Sequence, residues 1–422
     1  MPQKFIDQTT IQPDGRPGDD AFTAFATCND NFEDSEQRLS ALEGGSSNIG
    51  QDVADLKVGL QQETLLRTDA DTALSQAIAA EVTARQSADT ALGARFIGKN
   101  LLINGDFRFW QRATTSAAAA ARRYVADRWE VWSIGTTTQV DAMVINDGSI
   151  DPPARFSHRV IVSSVAGAGN IGFMRQHIED VRTASGKTVT FSVRLYSQSA
   201  SKIAVNIAQN FGVGGSAAVN TTAQKFDLVA GWQAVTAAFN IPSVSGKTIG
   251  TSSSLILQIW MDAGADYNTV TDSLGQRSGT YWFANAQLEL GSKATAFEYR
   301  PDALELALCQ RYYEKSYNLG VFPGTADRNG SYRCSIVNGF FFSAGTIAFA
   351  VQKRTTPAIS VYAARDGTAG AGSEVNSSGV FVANRNVTPS NMGTSRFQTG
   401  SNNGGAAAGN TIEFQWTADA EL

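Results

Sequence analysis

The chain is poor in the residues that most often carry chemistry: 422 positions hold two histidines and three cysteines. Cys28, Cys309 and Cys334 are far apart and odd in number. That argues against a disulfide framework and against the paired CxxC spacing of a structural zinc site, leaving three reduced thiols of a protein made in a cytosol. His158 and His177 stand singly, outside any HExxH-type frame, and read as structural. No metal and no cofactor are therefore expected. Charge is sparse too. Net charge is −5 with no dense Lys/Arg run, whereas nucleic-acid binding needs a clustered basic footprint, so that partner class is set aside. No apolar run approaches the roughly 20 residues that span a membrane. The opening "MPQKFIDQTTIQPDGRPGDD" lacks the apolar core of a secretion signal, so a soluble protein with no membrane insertion is expected.

Enzyme signatures are missing as well. There is no GxSxG elbow, no P-loop and no dinucleotide fingerprint, and "GVGGS" (212–216) reads as a turn between strands because no helix follows it. A glycosidase needs only two facing carboxylates. Asp262, Asp266 and Glu289 are available for that, although Glu289 lies in a strand phrase with a structural reading of its own. The repeats of a long β-helix are also missing. The expectation is a non-enzyme, with a glycan-cleaving hydrolase as its rival.

What the chain does have is a repeat: "RTDADTAL" at 67–74 returns as "RQSADTAL" at 85–92, eighteen positions later. Leu56, Leu74 and Leu92 keep that interval, and so do Leu60, Ile78 and Phe96. Eighteen residues make about five turns at 3.6 residues per turn, so these six side chains share one narrow stripe. Just upstream, Leu39, Leu42, Ile49, Val53, Leu56 and Leu60 fit a heptad seam, with Ser46 the weak position. Glu63 and Glu81 stand four residues before Arg67 and Arg85, the favourable order within a helix. A helix over about 50–97, roughly 70 Å long at 1.5 Å per residue, cannot bury so narrow a stripe alone. The expectation is a coiled-coil stalk over 38–98 joining parallel copies, most simply three; the alternative is one long helix packed on its own globular domain.

Beyond Lys99 the texture turns to short alternating strands punctuated by Gly, Ser, Asn and Pro. "TVTFSVRLY" points Val189, Phe191, Val193 and Leu195 to one side, and "KIAVNIAQ" does so with Ile203, Val205 and Ile207. "LILQIWM" (255–261) is apolar on both faces, as a strand inside a sandwich would be. In "YWFANAQLELG" one side takes Trp282, Ala284, Ala286, Leu288 and Leu290. An antiparallel jelly-roll sandwich is predicted for 99–301, followed by a smaller β domain over 302–422 where Ile347/Phe349/Val351, Ile359/Val361 and Ile412/Phe414/Trp416 alternate. Between them Asp302 is placed to cap a short helix with Glu305 as its capping-box partner, and Leu304, Leu308 and Tyr312 share a face. Trp129, Trp132, Trp260, Trp282 and Trp416 lie in strand-like runs and read as core; Trp110 and Trp232 sit near turns and read as candidates for exposure.

Several phrases carry a resemblance. "GD…AF…N-x-NF" within 18–32, leading into a coil, is similar to the N-terminal segment of phage tail proteins. "NLLINGDFRFWQR…YVADRW" with "YWFANAQLELGSKATAFEYRP" resembles the jelly-roll module of phage tail fibres. That module in turn resembles carbohydrate-binding modules through a closing strand with Trp282, Gln287, Glu289 and Gly291. "ELALCQRYYEKS", "VQKRTTPAISVY…DGTAG" and "FQWTADAEL" resemble the joint and tip of such fibres. This likeness implies an elongated homotrimer of the virion, made in the host cytoplasm. Segment 1–37, with Phe22, Phe25, Asn29, Asn31 and Phe32, would attach to baseplate or tail proteins. The other end would bind a host polysaccharide or a pilus or other surface protein. Distal loops would supply Arg365, Asp366, Asn376, Arg385, Asn391, Arg396, Asn402 and Asn403 for that contact, with Trp110 and Trp232 from the sandwich. A purely structural baseplate or side-fibre role is the remaining alternative.

Overall fold

The computed structural model describes residues 4–11, 13–93, 98–145, 154–337, 341–402 and 406–422, with the backbone alone at 46–47, 86–93, 341–345 and 401–402. The Leu92 side chain, Phe96, the Asn402 side chain and Asn403 lie outside that description. The chain forms two compact units, Met1–Asp89 and Thr90–Leu422. No described helix is long and apolar enough to cross a membrane.

The first unit is built on helix α1 (Ala21–Gly93), 73 residues and about 110 Å at 1.5 Å per residue. It starts far upstream of the expected residue 50 because Asp20 caps it, its carboxylate accepting the Thr23 N–H at 2.7 Å. Just before it, the chain turns back through an antiparallel bridge between Ile11 and Pro17. The helix runs on through Gly44 and Gly45, which cost roughly 1 kcal/mol each relative to Ala. Its many hydroxyls are absorbed by the helix itself: Thr64, Thr68, Thr72 and Ser75 each donate to the carbonyl four residues back. The two expected pairs form, Arg67–Glu63 at 2.8 Å and Arg85–Glu81 at 2.6 Å, both exposed. Among the described residues the apolar stripe is exposed, with Leu42 and Leu56 each at 73%.

The second unit opens with a two-sheet antiparallel sandwich. Its strands are β1 (Thr115–Ala119), β2 (Arg122–Tyr124), β3 (Glu130–Ile134), β4 (Thr137–Val144), β5 (Phe156–Ser163), β6 (Ile171–Ile178) and β7 (Thr188–Ser197). They continue as β8 (Ser201–Asn210), β9 (Val219–Asn220), β10 (Gln224–Leu228), β11 (Gly231–Asn240), β12 (Ser254–Ala263) and β13 (Gly279–Leu290), with the short helix α2 (Asn268–Thr271) before β13. One sheet has the order β1-β4-β5-β13-β7-β11; the other is β10-β8-β12-β6-β3-β2, with β9 beside β8. The expected alternation puts Val189, Phe191, Val193 and Leu195 of β7 and Ile203, Val205 and Ile207 of β8 into one core between the sheets.

Strand β13 departs from its predicted pattern. Ala284 pairs with Arg194 but Gln287 pairs with Ser192, so two residues oppose Val193 and the strand bulges. Asn285 supplies the bulge with φ 51°. The inserted residue reverses the phase: Tyr281 and Phe283 face the core before it, Ala286 and Leu288 after it. Trp282 and Ala284 therefore point outward, contrary to the single alternating face read from sequence. Beyond the reach of β5, segment 100–105 pairs with the bulged half. Leu101 donates to Leu288 O, Ala286 donates to Gly105 O, and Asn100 Oδ1 accepts the Leu288 N–H. Gly105 is required there, since a Cβ would lie 2.1 Å from Ala286 O.

Helix α3 (Asp302–Gln310) corrects the capping-box reading. Its N-cap is Pro301 and no side chain caps it. Glu305 is buried instead, accepting Arg300 at 3.2 Å and the Asn104 N–H, while Asp302 pairs with Arg108. The buried side of α3 runs through Glu305 and Cys309 to Tyr312, and Leu304 is exposed. After α3 come β14 (Tyr313–Lys315), β15 (Tyr332–Ser335), β16 (Phe341–Ala348), β17 (Ala358–Ala363), β18 (Ala371–Val375), β19 (Phe381–Asn386), β20 (Thr388–Ser390), β21 (Arg396–Asn402) and β22 (Thr411–Asp419). Strand β22 is the hub, pairing with β14, β15, β17 and β18, and it buries Ile412, Phe414 and Trp416 in a second core. This region is bolted to the sandwich by the expected motif residues. Gln111 bonds Asp127 at 2.7 Å and Tyr313 O at 3.0 Å. The buried Arg128 guanidinium pairs with Glu421, donates to His177 O at 2.6 Å and lies 3.3 Å above the Tyr312 ring.

His158 sits wholly inside the sandwich between Phe107 and Trp110, with neither ring nitrogen hydrogen-bonded among the described residues. Burial pushes its pKa down to about 3 from 6.5, so the folded chain keeps it neutral while the unfolded chain protonates it. The depressed pKa makes stability fall as pH drops below 6.5, at up to about 1.4 kcal/mol per unit. Urea denaturation at pH 6.5 and pH 5.0 is expected to differ by about 2 kcal/mol less in His158→Phe than in the parent. An unchanged difference would show that His158 does not contribute.

Candidate functional site

The outer face of the β10-β8-β12-β6-β3-β2 sheet carries two cross-strand rows, side by side. One runs Arg122, Trp132, Phe173, Trp260, Ala204, and the other Tyr124, Glu130, Arg175, Gln258, Asn206, each member paired with the next across the ladder. At about 4.8 Å between strands each row is roughly 19 Å long. Strict alternation is what builds this: the same strands send Val131, Met174, Leu257, Ile259 and Val205 into the core. The rings form a continuous series, Trp132 to Phe173 at 5.6 Å, Phe173 to Trp260 at 4.3 Å, and Trp260 to Tyr267 at 5.7 Å. The segment around α2 folds over one end, where Tyr267, Val270 and Leu274 pack on Trp260 and Phe173. A cavity of about 250 Å³ remains, floored by Phe173 and Trp260 and walled by Trp132, Tyr267, Arg175 and Gln258. Trp132 and Tyr267 are half-buried, whereas Phe173 and Trp260 are buried.

The polar row is held rigid. Trp260 Nε1 donates to Asn206 Oδ1 at 2.9 Å. Arg175 donates through Nε to Glu130 at 2.6 Å, with its guanidinium 4.6 Å from the Trp132 ring. Glu130 also takes Arg122, and His177 Nε2 stands 3.7 Å from it. Burial alone would raise the Glu130 pKa, but His177, Arg175 and Arg122 reverse that and hold it at about 2. Burial pushes the His177 pKa down, and its Nδ1 is bonded to Ser254 at 3.0 Å. A floor of π surface beside a fixed line of amide, guanidinium and carboxylate groups can bind a ligand with one apolar face and several hydroxyls. A second outward row crosses the other sheet, Trp232, Tyr196, Trp282 and Arg159, with rings at 5.5 and 4.9 Å.

Trp260 is buried, as expected, but in a cluster on the outer face of its sheet. Trp132 and Trp282 are only half-buried on the outer faces, and sequence reasoning missed the groove by placing them in the core. The signal was present: in "LILQIWM" both faces are apolar, so one of them had to lie outside the sandwich core. Trp110, read as a candidate for exposure, is buried and donates to Phe107 O at 2.6 Å. Trp232 is half-buried on the outer face of its sheet.

Arg365 reaches the buried Glu413 at 3.3 Å and Gly379 O at 3.1 Å, and Arg385 pairs with Glu374 at 2.6 Å. Asp366 accepts Thr368 N and Asn384, Asn376 accepts Ser378 N and Val380 N, and Asn391 donates to Gln398 at 2.6 Å. Arg365 and Arg385 are thus held by strand carboxylates, Asp366 and Asn376 by their own turns and Asn391 by β21, on which Arg396 is exposed. At the other end of the chain Asn31 clamps the Lys4 backbone with bonds of 2.9 and 2.8 Å, Asn29 is exposed, and Phe22, Phe25 and Phe32 point into solvent. Glu289 holds Thr295 at 2.6 Å and Asp262 holds Ser164 at 2.8 Å, both as structural ties; Asp266 is exposed. Among the described residues no cluster of three His, Cys, Asp or Glu could hold a metal.

Trp132 and Trp260 separate ligand contact from packing. Trp260→Ala is expected to cost about 3–5 kcal/mol in urea denaturation, as for a buried aromatic. Trp132→Ala, at the cavity wall, is expected to cost less than half as much. Equal losses would place both in the packing alone.

No family model and no curated protein matches the chain. Among solved structures, a family 4 carbohydrate-binding module is 17% identical, with 44% of this chain and 98% of that one covered at a TM-score of 0.27. A family 11 module from Clostridium thermocellum, solved with a mixed-linked tetrasaccharide, is 12% identical, covering 44% and 99% at 0.26. The enzymatically active domain of a tailspike protein from bacteriophage CBA120 is 12% identical, covering 46% of this chain and 22% of that chain at 0.26. With likeness this low, the sandwich assignment rests on strand order and register.

Proposed function

We propose that this chain is a phage tail-fibre protein that binds a host surface glycan in the outer-face groove of its sandwich. The observation that carries the glycan reading is the pairing of an aromatic row with a polar row across five strands. Sugars present apolar C–H faces and a rim of hydroxyls, and the two rows offer one surface to each. The fibre reading is supported by the quoted phrases at 18–32, 100–129 and 281–301. It is supported too by a 73-residue helix whose apolar stripe is exposed among the described residues. Parallel copies joined along that stripe as a homotrimer would hide it. Phe32 and Phe25 stand seven and fourteen residues before Leu39, so the seam extends almost to the start of α1. Segment 1–37 attaches to the baseplate or tail, and the chain is carried on the virion. A pilus or other protein receptor, a glycan-cleaving activity and a purely structural role are the competing readings.

The test is binding of the purified full chain to host cells, to cells stripped of surface glycan and to cells lacking pili. Binding is expected to vanish with the glycan and to fall at least tenfold in Trp132→Ala. Loss with the pili instead would favour a protein receptor, and binding to none of them a structural role. Release of reducing ends would reveal cleavage. Light scattering is expected to give three chain masses for the parent and one for the double variant Leu56→Asp, Leu60→Asp. A parent mass of one or two chains would refute the trimer.

A further inference from the structure

The groove's charge has a direction. Arg175 is the only Asp, Glu, His, Lys or Arg among the described residues that line the cavity. It is held by its inner edge: Nε is spent on Glu130 at 2.6 Å, and the guanidinium lies against Trp132 at 4.6 Å and Phe173 at 5.7 Å. Its outer edge, Nη1 and Nη2, makes no hydrogen bond among the described residues, although the side chain is only 10% exposed. Glu130 is shared: that buried carboxylate also takes Arg122, whose Nη2 goes on to Leu422 O at 3.1 Å. Arg122 is spent on those oxygens, and Arg175 is the cation that lines the cavity. His177 is held neutral by burial and adds nothing to either side. A guanidinium pinned by stacking and by one edge presents its other edge as a ready-made fork for two oxygens of one anion.

We infer that the groove selects an anionic saccharide, whose ring lies against Trp132 and Tyr267 and whose carboxylate, phosphate or sulfate oxygens accept from the outer edge of Arg175. This rests on the glycan reading and narrows it to charged sugars. An uncharged saccharide would leave the fork with hydroxyls only, without the parallel two-bond ion pair that a planar guanidinium makes with a carboxylate or phosphate.

The experiment uses the full chain and three matched pairs of polymers in affinity electrophoresis and calorimetry. The pairs are polygalacturonate and its methyl ester, phosphomannan and mannan, and dextran sulfate and dextran. At least one anionic member is expected to bind, with its neutral counterpart at least tenfold weaker, and the pair that shows this identifies the anion. Arg175→Gln is expected to erase the preference, Arg175→Lys to restore it in part, and Trp132→Ala to weaken both members. Equal binding of charged and neutral members by the parent chain overturns the charge selection and leaves the glycan reading standing. Silence from all six polymers removes the groove as a sugar site, and with it this inference. Binding of the anions that survives both Arg175→Gln and Trp132→Ala would place the contact elsewhere on the surface, which also overturns it. The ratio measured on the parent chain decides the matter even where a variant does not fold.

Discussion

Much of this structure depends on one inserted residue. Side chains on a strand alternate with period two, so an extra residue in β13 reverses which face everything beyond it presents. The bulge at Asn285 leaves Ala286 and Leu288 in the core while Trp282 turns outward. The same bulged half of β13 receives segment 100–105, with Asn100 and Gly105 fitted against Ala286 and Leu288. That segment in turn places Asn104, which accepts the Trp129 indole on its carbonyl and gives its N–H to Glu305. From Glu305 the line runs to Arg300 and α3, and from the neighbouring Arg128 to Glu421 near the end of β22. One of the ties between sandwich and C-terminal region, the Asn104–Glu305 bond, thereby lies next to the segment that pairs with the bulge.

This explains what could be read from the letters and what could not. Alternation in β7 and β8 was legible because one side of each strand is plainly apolar and the other polar. The β22 pattern of Ile412, Phe414 and Trp416 was legible for the same reason. The phrases "NLLINGDF" and "YWFANAQLELG" bracket a domain because their backbones pair, a contact that sequence separation hides. The bulge was not legible, since nothing in "WFANAQ" announces an inserted residue to a reader counting in twos. Nor was the fate of Glu305: its spacing from Asp302 fits a capping box, but Arg300 and the Asn104 N–H offer a buried carboxylate stronger partners than a helix terminus does.

The aromatic rows show a second limit. A Trp at an alternating position is buried on average, and that average assigned Trp132, Trp260 and Trp282 to the core. In a sandwich, though, each strand has two faces, and the inner ones were already filled by Val131, Ile259 and Phe283. Large side chains on the remaining face must either meet another layer or meet a ligand. Here the segment around α2 covers part of that face and leaves the rest open beside Trp132. A Glu130 carboxylate held near pKa 2 beneath that surface keeps two guanidiniums oriented, so the open part is polar in a fixed direction rather than merely uncovered.

The helix and the groove pose complementary problems, and each bears on the other. A stripe with Leu42 and Leu56 almost three-quarters exposed is costly to leave in water, and a heptad seam is covered most simply by the same seam on another copy. On the proposed reading, a cavity of about 250 Å³ would give a single sugar-sized ligand only modest affinity. Joining copies through the helix would turn the second and third encounters with a repetitive surface into intramolecular ones, raising avidity by about 10²–10⁴ without adding a contact to the groove. In such an assembly weak individual sites would be an advantage, since each could let go and rebind while the others stayed attached.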